Sequence, residues 1–251
     1  MNLDESFNEI AEYLSIDVKI LLKRYEEIKK KYPGFVKWCH LSEEEWKLKK
    51  IDQTNIDDVK NFYKETPNYM FELMEYHSTE AKQKLSKRVI EISLKNKFKT
   101  ILDFGAGICQ DSIEAQNSGL FASAADISGK TFDFGKWRIK KRNLDIKFID
   151  VNDELPLKNS YDAISCFEVL QHVVNPNITL KHLYDHINSN GILFLTTRFQ
   201  NNYELALKHN KKFESELEKL IMNVGFIIED KIHMWGEGNK TKFLYVLRKN
   251  N

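Results

Sequence analysis

Thr100-Ile101-Leu102-Asp103-Phe104-Gly105-Ala106-Gly107-Ile108-Cys109 is the stretch that decides the fold of this chain. A short apolar run reads as a strand, ends on a carboxylate and passes straight into a glycine turn. Gly105 and Gly107 let the backbone turn tightly and approach a ligand. Asp103 sets a negative charge at the strand's carboxyl end, where open α/β sheets bind their ligands. A dinucleotide site uses a similar turn to press backbone N–H groups and a helix N-terminus onto a pyrophosphate. An acid at the mouth of the turn would repel that group, so this turn suits a ligand that is cationic and free of phosphate.

The segments that follow repeat the pattern. Gln110 to Ser118 is compatible with a helix, Gly119 breaks it, and Phe121-Ala-Ser-Ala-Ala-Asp126-Ile127-Ser128 reads as a second strand ending in an acid. Asp126 lies about twenty residues past the glycines, the spacing at which a doubly wound sheet offers a carboxylate to ribose hydroxyls. A third strand, Ile146 to Ile149, ends in Asp150-Val151, and a fourth, Tyr161 to Cys166, runs into Phe167-Glu168-Val169-Leu170-Gln171-His172. Alternation continues with a helix over Ile178 to Ile187 that stops near Asn190-Gly191, then strand five at Ile192 to Thr197. A helix over Tyr203 to Met222 and strands at Phe226 to Ile232 and Lys242 to Leu247 complete it. Only a short Gly-rich loop, Trp235-Gly236-Glu237-Gly238-Asn239, joins the last two strands. It is too short for a crossover helix, so they should run antiparallel.

An Asp-x-Gly-x-Gly turn with acids closing the next two strands resembles the class I (Rossmann-like) S-adenosylmethionine-dependent methyltransferases. S-adenosylmethionine (SAM) carries an ammonium and a sulfonium but no phosphate, in keeping with the charge of Asp103. The resemblance covers roughly residues 99 to 248. It implies an α/β fold: a seven-stranded, mostly parallel doubly wound sheet with an antiparallel last strand, carrying an N-terminal helical region. It also implies cofactor contacts from Asp103, Gly105, Ala106 and Gly107 in the first turn and from Asp126 and Ile127 after strand two. Asp150 would bond the exocyclic amine of adenine while Val151 packs on the ring, and Phe167 and Glu168 would lie beside the transferable methyl. The family often has a third glycine where this chain has Cys109, a replacement expected to narrow the site. Some quinone-pathway relatives bind a metal with a Glu-x-x-Glu-His stretch; here Gln171 takes the second acidic position, so no metal is expected.

Methyl transfer from a sulfonium is a direct displacement, and the protein's main task is to align the nucleophile behind the methyl carbon. Where a proton must also leave, His172 is the candidate general base, because its ordinary pKa lies near neutrality and it falls one helical turn after Glu168. The competing structural role is packing of the turn before Pro176. Tyr69, Leu73 and Tyr76 share one stripe of a helix over Asn68 to His77, and an aromatic face can stabilise a sulfonium. Tyr63, Tyr69, Tyr76, His77, Arg198 and Trp235 are the candidate substrate-side residues. In relatives of this kind, helices before the first motif form a lid.

Residues 1 to 98 read as a helical lid or substrate-recognition region, and residues 99 to 251 as the SAM-binding domain. Leu3 to Leu14 is one helix. Ser15 should cap the next, whose stripe of Val18, Leu21, Leu22, Tyr25 and Ile28 runs until Pro33-Gly34. Ser42-Glu43-Glu44-Glu45 looks like a capping box before Trp46. Ile56 to Glu65 is helical, Pro67 opens a new segment, and Ser78 should cap a long helix to about Asn96, with Leu85, Val89, Ile92 and Ser93 turned to the sheet. These helices should dock on the catalytic core rather than swing free.

A length of 251 residues and 42% hydrophobic content suffice for a packed core, and a formal net charge of +1 argues against a nucleic-acid partner. The basic residues Lys136, Arg138, Lys140, Lys141 and Arg142 suit a solvated helix C-terminus. The chain starts acidic, has no bilayer-spanning apolar run, and holds three scattered cysteines, Cys39, Cys109 and Cys166, so a cytoplasmic, reducing home without membrane attachment is expected. The expected activity is methyl transfer from SAM, releasing S-adenosyl-L-homocysteine (SAH), to an O, N or C atom of a small-molecule or peptide-like metabolite. Nucleic-acid adenine methylation is disfavoured, because strand four ends Ser165-Cys166-Phe167-Glu168 without an Asn/Asp-Pro-Pro-aromatic segment. The alternatives are an NAD-dependent oxidoreductase and a catalytically inactive SAM-binding partner protein. Monomer and homodimer both stay open.

Overall fold

Strands β1 (Thr100–Phe104), β2 (Phe121–Asp126), β3 (Lys147–Asp150), β4 (Tyr161–Phe167) and β5 (Ile187–Thr196) pair in parallel. β1, β2, β4 and β5 are buried along most of their length, as expected of strands covered on both faces, whereas β3 is an edge strand and is largely exposed. β7 (Lys242–Lys249) runs antiparallel to both β5 and β6 (Phe226–Trp235), which gives the order β3-β2-β1-β4-β5-β7-β6. The strand order reverses between β1 and β4, and this switch point opens a crevice at the carboxyl ends. The computed structural model describes residues 2–32, 36–152, 156–199, 205–236 and 242–249. The expected helix stop at Pro33-Gly34, the start of a helix at Tyr203, and Glu237 to Asn239 of the hairpin loop lie outside the described residues.

Helices α1 (Leu3–Leu14), α2 (Val18–Lys31), α3 (Cys39–Lys49), α4 (Ile56–Glu65), α5 (Asn68–His77) and α6 (Glu80–Lys95) precede the sheet. α7 (Gln110–Asn117), α8 (Lys130–Lys141), α9 (Pro176–Asp185) and α10 (Leu217–Val224) are interleaved with it. Three caps differ from expectation. Ser15 ends α1 in a left-handed conformation, and Asp17 caps α2 by accepting from the Lys19 N–H. Ser42 is buried inside α3, which starts earlier because the Glu75 carboxylate of α5 accepts the N–H groups of Lys37 and Trp38 at 2.7 and 2.9 Å. Thr79 caps α6, while Ser78 donates to the Met74 carbonyl at the end of α5. α9 starts at Pro176, whose missing N–H costs nothing at a first helical position. In place of one long helix, residues 205–224 hold a 3₁₀ turn (Lys208–Phe213) and α10. Here the Leu207 N–H donates to the Gln171 carbonyl and the buried Asn210 amide to the Val173 carbonyl, so tertiary bonds replace the helical ladder.

Leu102, Ile164, Leu193 and Leu247 belong to a core on one side of the sheet, and Ile101, Ala124, Phe194 and Val246 to one on the other. α6 joins the second through Leu85 and Val89. A third core gathers Phe7, Ile10, Tyr25, Trp38, Phe71 and Met74 with Ile108 of the first turn and Phe134 of α8, so the N-terminal helices are docked on the sheet domain. A fourth joins Trp46, Val59 and Phe62 to Leu205 and Leu207. The expectation of a solvated basic face on α8 fails at Arg138, which is wholly buried. Its guanidinium donates to the Glu9 carboxylate of α1 (2.9 Å), the Ile108 carbonyl (2.8 Å) and the Gln110 side chain (2.5 Å). One cation thereby ties the first helix to the glycine turn.

Candidate functional site

The turn after β1 is built to leave space above it. Gly105 (φ +79°) and Gly107 (φ +51°) occupy the left-handed region, and their N-terminal side is pinned where the N–H groups of Gly105 and Ala106 both donate to the Ala125 carbonyl. A Cβ on Gly105 would lie 2.2 Å from Val169 Cγ2, and one on Gly107 would lie 2.5 Å from Leu73 Cδ1. Cys109 also takes a left-handed φ, 58°, but its side chain is fully buried and does not line the crevice. The sulfur instead faces α8 at Gly135, where any Cβ would come within 2.6 Å of Sγ. The expected narrowing of the site by Cys109 is therefore absent. Burial, with Asp103 and Asp126 nearby, pushes the thiol well above its ordinary pKa, which opposes a reactive role at the helix N-terminus.

Above the turn lies a cavity of about 400 Å³. Asp103, Gly105, Ala106, Gly107, Asp126, Ile127, Val151, Phe167, Glu168 and His172 line it, joined by Tyr63, Tyr69, Tyr76, His77, Arg198 and Trp235. Asp103 is 5% exposed; Oδ2 accepts from the Ser112 N–H (3.1 Å) and hydroxyl (2.8 Å), and Oδ1 from the Ser165 hydroxyl (3.3 Å). Burial and the neighbouring Asp111 carboxylate still push its pKa upward. Asp126 accepts from the N–H groups of Gly107 (2.5 Å) and Ile127 (2.6 Å), yet burial raises it to about 6. Asp150 does not line the cavity. Its Oδ1 accepts from Asn152 N–H at 2.9 Å, holding the turn after β3; burial opposes its charge, but bonds from Ser128 and Asn152 keep its pKa below the usual carboxylate range. Its neighbour Val151 supplies the wall.

The loop after β4 forms the opposite side. Glu168 has φ +58° and ion-pairs with Lys242 at the start of β7, while Gln171 donates to it at 3.1 Å. Burial would raise its pKa, but the Lys242 cation holds it low. His172 Nδ1 lies 2.9 Å from both the Leu205 carbonyl and the Tyr63 hydroxyl. Burial lowers its pKa, so the imidazole is neutral near pH 7. α5 divides its residues between two surroundings: Met70, Phe71 and Met74 enter the N-terminal core, Tyr69 and Tyr76 line the cavity, and Leu73 meets both. Burial keeps Tyr63, Tyr69 and Tyr76 protonated and, with Lys82 adding repulsion, pushes His77 down to about 3.

Sequence reasoning missed Glu72, Lys82, Asp111 and Lys242, which also line the cavity. Lys82 is almost wholly buried, 2.5 Å from Asp111 and 4.6 Å from the Phe167 ring centroid. Nothing local distinguishes it from the other lysines of α6; the only signal is its place on the face that carries Leu85 and Val89. Among the described residues no group of three or more His, Cys, Asp or Glu is arranged to hold a metal ion.

The family model of a methyltransferase domain matches residues 76–236. The chain belongs to that family. Ubiquinone biosynthesis O-methyltransferase of Coxiella burnetii is 29% identical over 112 residues, 44% of this chain and 48% of that protein. The chain thus spans about half the length of the curated relatives it matches. Magnesium protoporphyrin IX methyltransferase from Synechocystis PCC 6803, solved with SAH, superposes with a TM-score of 0.61 at 17% identity, covering 79% of this chain and all of that one. The same enzyme has also been solved with SAM. The cyclase SpnF superposes at 0.51 with 18% identity, over 61% of this chain and 60% of its own. At these identities the likeness establishes the class I methyltransferase fold, and the cyclase among the neighbours means that chemistry has to be argued from the site.

Proposed function

We propose that this methyltransferase-family chain binds SAM in the cavity and transfers its methyl to an O, N or C atom of a small-molecule or peptide-like metabolite, releasing SAH. The observation that carries the reading is the pair of carboxylates lining the cavity, the buried Asp103 and the partly exposed Asp126, flanking a glycine turn whose Cβ positions are closed by Val169 and Leu73. A pyrophosphate would meet repulsion there, whereas an ammonium and ribose hydroxyls would complete the two acids. The family match and the solved relatives support this reading and lend none to NAD-dependent oxidoreduction. When bound, SAM supplies an electrophilic methyl that already carries its leaving group.

The chain's own residues would do the rest. Asp103 holds the ammonium, Asp126 and Ile127 the ribose, Val151 the adenine face with Asp150 beside it, and Phe167 and Glu168 flank the methyl. Tyr69, Tyr76, His77, Arg198 and Trp235 wall the acceptor side and exclude water. A neutral His172 is in the protonation state a base requires. A formal net charge of +1 favours a small acceptor over nucleic acid. Free Cys39, Cys109 and Cys166 suit a reducing cytoplasm, and among the described residues no helix is long and apolar enough to cross a membrane.

Isothermal titration with SAM and with NAD separates the two cofactor readings. Incubation of cell extract with labelled SAM, followed by mass detection of a one-methyl gain, finds the acceptor and separates an enzyme from an inactive binder. Asp103→Ala should abolish SAM binding. His172→Ala should leave binding intact and slow turnover by about 10²-fold or more; full activity in that variant across pH would overturn the base assignment.

A further inference from the structure

We propose that Tyr63 and the main-chain carbonyl of Leu205 clamp His172, and that the carbonyl fixes the ring as its Nδ1–H tautomer with the lone pair on Nε2. The use of that lone pair as a base rests on the methyl-transfer reading above; the tautomer does not.

A carbonyl oxygen only accepts hydrogen bonds, so an Nδ1 lying 2.9 Å from Leu205 O must carry a proton. The opposite tautomer would set two lone pairs against each other. The Tyr63 hydroxyl lies 2.9 Å from the same nitrogen and 3.4 Å from the same carbonyl. Its oxygen can therefore share the Nδ1 proton while its own hydrogen turns towards Leu205 O. In water the histidine side chain favours the Nε2–H form, so this arrangement selects the minor one.

Both jaws are rigidly mounted. Tyr63 meets the imidazole edge-on, with ring centroids 5.8 Å apart, and is packed by Phe62 at 5.4 Å and Tyr69 at 5.3 Å. Leu205 is wholly buried in the core it shares with Trp46, Val59 and Phe62. The histidine is anchored from below, where its own N–H donates to the Val169 carbonyl at 2.8 Å and the Leu207 N–H reaches Gln171 O at 2.9 Å. Tyr63 thus becomes a positioning residue acting through His172 rather than an acceptor contact. When Nε2 takes the proton from an acceptor O–H or N–H, the bonding pair stays on the acceptor atom. The new positive charge on the ring then strengthens the Nδ1–H bond to Leu205 O.

The test is nitrogen-15 NMR of the full chain with labelled histidine, the His172 signals being identified by their loss in His172→Gln. The wild type should show a protonated Nδ1 and an unprotonated Nε2. In Tyr63→Phe the Leu205 carbonyl still requires the Nδ1 proton while the opposite tautomer loses its only donor to Nδ1, so the Nδ1–H form should persist and its share should not fall. An Nε2–H wild type, or a switch to Nε2–H in Tyr63→Phe, overturns it. Titration of the same samples with SAM keeps the two readings apart: a wild type that shows the expected tautomer but binds no SAM refutes the proposed function and leaves the clamp standing.

Discussion

Cys109 and Gly135 are shaped to each other: the sulfur of the first residue fills the space that a Cβ on the second would need, 2.6 Å away. The same hypothetical Cβ would lie 2.8 Å from the Gly107 carbonyl, so the contact also presses α8 against the cofactor turn. Gly135→Ala should destabilise the chain by about 1–3 kcal/mol, the usual cost of overpacking, and should weaken SAM binding because the turn must move. Adding Cys109→Gly should recover only part of the loss, since the clash with the Gly107 backbone persists. Chemical denaturation of the two variants measures this.

Glu9 of α1 and Arg138 of α8 form a buried ion pair at 2.9 Å. Glu9→Ala strands a buried guanidinium that is 1% exposed in its side chain and should cost about 3–5 kcal/mol. Glu12→Ala breaks the exposed pair with Lys141 on the same two helices and should cost no more than about 1 kcal/mol. Urea midpoints of the two variants, compared with wild type, check the contrast.

His77 predicts a pH dependence. Its folded pKa of about 3 lies below the unfolded value of 6.5, so the folded state binds the proton less readily than the unfolded state does. The contribution to stability is present in full above pH 6.5 and is lost as pH falls towards 3. The stability of the wild type minus that of His77→Gln should therefore drop by about 1.4 kcal/mol per pH unit through this window. A constant difference would show that the imidazole is not held neutral.

Much of this was legible in sequence, for physical reasons. β1, β2 and β4 announce themselves because parallel strands buried on both faces are mostly apolar runs, and acids stand at or just past their ends, the first of them beside the Gly105 break. The hairpin of β6 and β7 followed from the loop length alone. Residues 205–224 misled because their helical periodicity is overruled by bonds to Gln171 and Val173, which no local pattern encodes. Glu75 capping α3, Arg138 reaching Glu9, and Lys82 folding under Phe167 are likewise contacts between distant segments. The stripe of Tyr69, Leu73 and Tyr76 could be read as a face, but the sequence alone did not tell a cavity wall from a core.

The central claim is that the acids at the turn choose a cationic nucleoside without phosphate, and SAM titration calorimetry across pH tests it most directly. Asp126 ionises near pH 6 in the free protein because burial raises it, so a ligand that favours the ionised form must displace its proton below that pH. One SAM should bind per chain at pH 7.5 and NAD should give no heat, with SAM affinity falling by up to about tenfold per pH unit below 6 as protons are released. Tight NAD binding without SAM binding, or a SAM affinity that stays flat from pH 5 to 7.5, would contradict it.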